Sequence, residues 1–109
     1  MPRYLIHTKY SAQGSAGLIQ EGYANRRVTA TKSIESVGGK VEHWMWLDRT
    51  TWDFAGVVEM PSYQSCLGMF SAAWASGAFD RLAVSEIFDD ATMDGALAVG
   101  LEWRAPGAS

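Results

Sequence analysis

The chain has 109 residues, 48% of them apolar, with five Trp, four Tyr and four Phe. This fits one folded domain with a single core and excludes a disordered chain. A formal charge of −3 and a pI near 5.2, with Arg26-Arg27 the one adjacent basic pair, exclude a clustered basic surface for nucleic acid or an anionic membrane.

In chain order, Arg3 to Tyr10 mixes Tyr4, Leu5 and Ile6 with His7, Thr8 and Lys9 and reads as a first strand, ending in the turn-like Ser11-Ala12-Gln13-Gly14. From Ser15 the period changes. Ile19, Tyr23, Ala30, Ile34 and Val37 recur at helical spacing, which predicts one amphipathic helix stopped by Gly38-Gly39. The stretch Arg27-Val28-Thr29-Ala30-Thr31 would tolerate a strand, and length decides for the helix. Lys40 to Leu47, the polar turn Asp48-Arg49-Thr50-Thr51, and Trp52 to Met60 then read as a β-hairpin, both runs being rich in aromatic and β-branched residues.

Pro61 suits the first turn of a second helix, whose apolar stripe is Tyr63, Cys66, Leu67, Phe70, Ala73 and Trp74, with Gly77 as its end. Phe79 to Phe88 reads as a fourth strand, with Leu82, Val84 and Phe88 on one face and Phe79, Ala83 and Ile87 on the other. Asp89-Asp90 caps a last short helix carrying Met93, Leu97 and Leu101. Residues 1–104 thus form one domain, with 105–109 as a flexible tail.

This order predicts an α+β fold of ferredoxin-like βαββαβ type: a four-stranded antiparallel sheet, right-handed crossovers, both helices on one face, and an added C-terminal helix. In the third strand Trp52, Phe54, Gly56 and Val58 share one side, and Ala55 and Val57 lie on the other between Asp53 and Glu59; in the second strand Trp44 and Trp46 oppose His43, Met45 and Leu47. A sheet apolar on both faces, with helices for one, predicts a homodimer whose sheets face each other. Higher oligomers through the aromatic edge strand stay open. Lone Cys66 leaves no intramolecular disulfide and fits a reducing cytoplasm. The N-terminal run lacks the apolar core of a signal peptide, and no run reaches the roughly 18 apolar residues of a membrane span.

Several stretches carry a resemblance: the opening strand from Tyr4 with Lys9-Tyr10, Gly22 and Arg26-Arg27, Gly38-Gly39-Lys40-Val41-Glu42, Trp52-Asp53, the proline before the second helix, Ser76-Gly77 and Asp89-Asp90. In this order, from Tyr4 to Val99, they resemble the GYD domain family. The name-giving Gly-Tyr-Asp is altered to Thr51-Trp52-Asp53, which keeps an aromatic and the Asp. The resemblance implies a ferredoxin-like dimeric α/β barrel, usually bacterial, and brings no settled activity. Similar barrels include cofactor-independent oxygenases, isomerases, haem-degrading enzymes and ligand sensors, and a shared fold does not choose among them.

His7 is a candidate general base if it faces the open side of the sheet, and a core His if it faces the helices; the parity of Tyr4 and Ile6 favours the open side. Asp53, at the family's acidic position, either orients His7 or accepts hydrogen bonds from backbone amides or Arg49 at a strand start, and the second role is preferred. Tyr10 is a second candidate orienting group. Glu59 shares a strand face with Asp53, but six residues of strand span about 20 Å, too far for an acid/base pair. Trp44 and Trp46 are either walls for a flat ligand or a buried dimer interface, the latter preferred. Arg26 and Arg27 either grip an anion near the sheet or are solvated. Cys66 on an apolar stripe reads as an inert buried thiol. No metal-ligand spacing and no phosphate loop is present, so neither metal nor cofactor is expected. Two functions follow: binding of a small hydrophobic or aromatic metabolite, with cofactor-free oxygenation or isomerisation based on His7, or a non-enzymatic sensing or assembly role.

Overall fold

A computed structural model describes residues 1–108. Four strands, β1 (Arg3–Tyr10), β2 (Lys40–Trp46), β3 (Phe54–Glu59) and β4 (Phe79–Ile87), form one sheet in the order β2-β3-β1-β4, antiparallel throughout. The helices are α1 (Ala12–Glu21), α2 (Tyr23–Ser36), α3 (Tyr63–Ala75) and α4 (Asp90–Leu97). This is the α+β, ferredoxin-like arrangement with a C-terminal helix expected from the order of elements. No helix is long and apolar enough to cross a membrane.

Residue alternation in β1 sets the two faces. Tyr4, Ile6, Thr8 and Tyr10 are buried beneath the helices, whereas Leu5, His7 and Lys9 are half-buried on the open face. In register, Ile6 lies opposite Gly56 and Val84, and His7 opposite Ala55 and Ala83. The core is built on the helix side from Tyr4, Ile6, Ile34, Phe54, Val58, Met60 and Cys66. Hydroxyl and carboxylate caps start three of the helices: Ser11, Ser62 and Asp89 each accept a hydrogen bond from the backbone N–H three residues on, satisfying donors that a helix start leaves free.

Three local expectations change. The long first helix is two, because Gly22 at φ +93° breaks it between α1 and α2; Gly is the residue that takes this backbone without strain. The break also resets the buried face, so Leu18 is 3% exposed while Ile19 is 69% exposed. Pro61 precedes the Ser62 cap and so lies outside α3. Phe79 lies on the helix side, not with Ala83, because a register shift at Lys9/Tyr10 pairs it with Tyr10, and the two rings sit 4.8 Å apart.

The C-terminal part is the least covered. Residues 88–108 are exposed throughout, Leu101 falls beyond the end of α4, and the expected tail includes Ser109, which lies outside the described residues. The radius of gyration is 17.3 Å and the extents are 58 × 33 × 24 Å, against about 13 Å for a compact domain of this length.

Candidate ligand cavity

Between the sheet and the helices lies a cavity of about 710 Å³. Small residues make it. Gly14 of α1, Ala30 of α2 and Ala73 of α3 line it from the helix layer and are only half-buried, their side chains too short to fill the space. Interiors are normally packed without voids much larger than a water molecule, and this volume lies within the range of ligand pockets.

The floor is aromatic. Trp44 and Phe54 lie 4.3 Å apart between ring centroids; the Phe54 ring lies over Gly56, the residue opposite Trp44 in register, where a Cβ would stand 2.5 Å from Phe54 Cζ. Tyr10 and Phe79 wall one end. A register shift after Val41 keeps Val41, Trp44 and Trp46 all on the helix side. The expected interface role of Trp44 and Trp46 between facing sheets therefore gives way. Trp44 lines the cavity, and Trp46 packs edge-on against Tyr23 at 4.9 Å.

Polar groups interrupt this apolar lining. Among the described residues, three buried side-chain atoms make no hydrogen bond within the protein: Thr8 Oγ1, Arg26 Nε and Trp44 Nε1. All three residues line the cavity. Leaving a buried polar group unpaired costs about 1–3 kcal/mol, so such groups are ordinarily few and scattered. Tyr10 stands with them: burial pushes its phenol pKa up, against the pull of the neighbouring Arg26.

Asp53 is a structural clamp at the edge of this site. It is 2% exposed. Its Oδ2 accepts from the Tyr10 backbone N–H at 2.8 Å, and its Oδ1 from Lys9 Nζ at 3.3 Å and Arg49 Nε at 3.1 Å. Burial alone would raise its pKa, but the Tyr10 amide, Lys9 and Arg49 together hold it below the usual carboxylate range. Arg49, at φ 75°, also donates to Ser15 Oγ of α1, so the clamp ties the hairpin turn to the end of β1 and to α1. Asp53 thus plays the part of strand-start acceptor.

His7 lies elsewhere. It sits on the open face with its ring 5.3 Å from Trp52, and the Arg81 guanidinium covers Trp52 at 4.5 Å. His7 and Tyr10 occupy opposite faces of the sheet, and the carboxylate of Asp53 is turned to Tyr10, Lys9 and Arg49. The three residues considered as a catalytic set do not form one centre. Arg26 does reach the cavity, whereas Arg27 is exposed. Cys66 is fully buried and its thiol pKa is raised by that burial. Sequence reasoning missed Thr8, although a hydroxyl sharing the parity of Tyr4, Ile6 and Tyr10 was a readable signal. Among the described residues no group of three or more His, Cys, Asp or Glu side chains is placed to hold a metal ion.

The model of the GYD domain family matches residues 4–97. No curated protein and no solved structure matches the chain.

Proposed function

Because this chain belongs to the GYD domain family, which brings no settled activity, its function has to be argued from the site, and we propose that it binds a small, largely apolar or aromatic molecule in the cavity between sheet and helices. The observation that carries this reading is a volume of about 710 Å³ between the sheet and the helices, lined largely by aromatic and aliphatic side chains and open to solvent on one side. Binding without turnover is the favoured form. The proton-transfer candidates in the lining are Tyr10, whose raised pKa keeps it protonated, and the exposed Glu21; His7 is separated from the cavity by the sheet.

Phenylnaphthylamine, a neutral fluorescent probe, tests the reading. We expect saturable one-to-one binding to the wild type, and its loss in Ala73→Phe, which puts a ring into the cavity from α3. Absence of binding, or binding unchanged by Ala73→Phe, overturns the proposal.

The protein is further proposed to be a homodimer joined through the open sheet face. Leu5, Val57, Ala83 and Ile87 are half-buried there with no helix over them, and Met45 is 43% exposed. The 2.7 Å Arg3–Glu42 pair stands at one edge of this apolar patch, where interfaces carry their polar rim. Sedimentation at micromolar concentration should give two subunits for the wild type and one for Val57→Glu. A monomeric wild type would remove the dimer without touching the cavity, which lies on the other face.

A further inference from the structure

Resting on the cavity reading above, we infer that the bound molecule is an acid, an apolar or aromatic body ending in an anionic oxygen group, and that Arg26, Trp44 and Thr8 hold that group. The three unpartnered atoms are not a random polar sample. Arg26 Nε and Trp44 Nε1 can only donate a hydrogen bond, and Thr8 Oγ1 can donate as well. The complement of each is a hydrogen-bond acceptor, and all three line one cavity. Thr8 is the strongest of the three markers, since the whole residue is 7% exposed and its hydroxyl faces into an apolar layer.

Charge separates an anion from a neutral carbonyl. Among the described residues Arg26 is the one cation lining the cavity; it is half-buried and takes part in none of their ion pairs, which join Arg3 to Glu42 and Lys9 and Arg49 to Asp53. The other charged lining residue, Glu21, is exposed and solvated. A neutral ligand would satisfy the hydrogen bonds and leave a partly desolvated positive charge uncompensated, which is costly. An anionic oxygen group satisfies both, through charge-assisted bonds of the stronger kind. The lining around it is aromatic or aliphatic, which sets the rest of the ligand: Trp44, Phe54, Phe70 and Phe79 offer faces for a ring, with Met69 as an adaptable filler.

The test compares anilinonaphthalenesulfonate with phenylnaphthylamine, two probes with the same ring system that differ in the sulfonate. The wild type should bind the sulfonate at least about tenfold more tightly, and Arg26→Gln should lose that preference while keeping its affinity for the amine. Arg27→Gln, one residue along α2 and exposed, should leave the preference intact. Thr8→Val separates a ligand-holding hydroxyl from an ordinary buried one: it should weaken sulfonate binding and raise the melting temperature of the unliganded protein, because the unpaired hydroxyl is gone. Equal affinity of the wild type for both probes, or a preference that survives Arg26→Gln or falls equally in Arg27→Gln, overturns the inference and leaves the cavity reading standing. Failure of the wild type to bind phenylnaphthylamine overturns the cavity reading itself and the inference with it.

Discussion

Asp53→Asn is expected to lower the unfolding free energy by about 2–3 kcal/mol and the melting temperature by on the order of 10 °C. The side chain is nearly the same shape, so the loss is one of charge. Lys9 and Arg49 lose the carboxylate that both of them share, and the Tyr10 amide loses a charged acceptor. Because Lys9 and Arg49 keep 26% and 34% of their side-chain surface in water, the penalty falls at or below the lower bound of the roughly 3–5 kcal/mol for breaking a fully buried pair. The pH dependence has a defined sign. A carboxyl whose pKa in the folded state lies below its unfolded value, near about 3.9, adds stability that is complete above that unfolded value and is lost as pH falls through the lower, folded one. Urea unfolding of both proteins should therefore show a gap that is constant from neutral pH down to about 5 and closes under more acid conditions. A variant within about 0.5 kcal/mol of the wild type at neutral pH would show that the clamp contributes nothing to the fold.

A second large effect is expected at Gly14. Its position in the first turn of α1 presses against the backbone carbonyl of Ala78, and a Cβ built there collides with Ala78 O. That carbonyl cannot swing aside, since it accepts from the Ser11 N–H at 2.9 Å, and Ser11 Oγ donates to the neighbouring Gly77 O at 2.7 Å. Gly14→Ala must therefore lift α1 off the α3–β4 turn, at a cost of about 1–3 kcal/mol for forced overpacking. That outweighs the gain of up to about 1 kcal/mol that alanine brings to a helix. Gly17, one turn further along the same helix, has nothing within 4 Å of such a Cβ. Gly17→Ala should for that reason be neutral or stabilising by about 0.5–1 kcal/mol, and denaturant midpoints of the two variants should move in opposite directions. Equal shifts would mean that α1 is not seated on Ala78 as described. Because Gly14 also lines the cavity, its alanine variant should weaken phenylnaphthylamine binding as well.

Local chemistry already determined much of this molecule. Turn residues and β-branched and aromatic runs fix the β2–β3 hairpin, helical spacing with Gly38-Gly39 and Gly77 fixes where α2 and α3 stop, and Asp89 is a cap whichever way the rest packs. The order of those elements is enough for the ferredoxin-like sheet, since each signal is carried by residues close together in the chain. What the tertiary structure decided is which face each strand presents and what meets there. Side chains alternate with a period of two, so one register shift moves a whole strand's set to the other face. That is how Phe79 joined Tyr10, and how the shift after Val41 brought Val41, Trp44 and Trp46 to one side. The cavity is equally invisible in sequence, because Gly14, Ala30 and Ala73 become a roof only when three separate helices are laid over one sheet. Thr8, Arg26 and Trp44 likewise become a set of donors only when β1, α2 and β2 meet around the same space, for whether a polar atom finds a partner depends on the folded neighbourhood and not on the chain beside it.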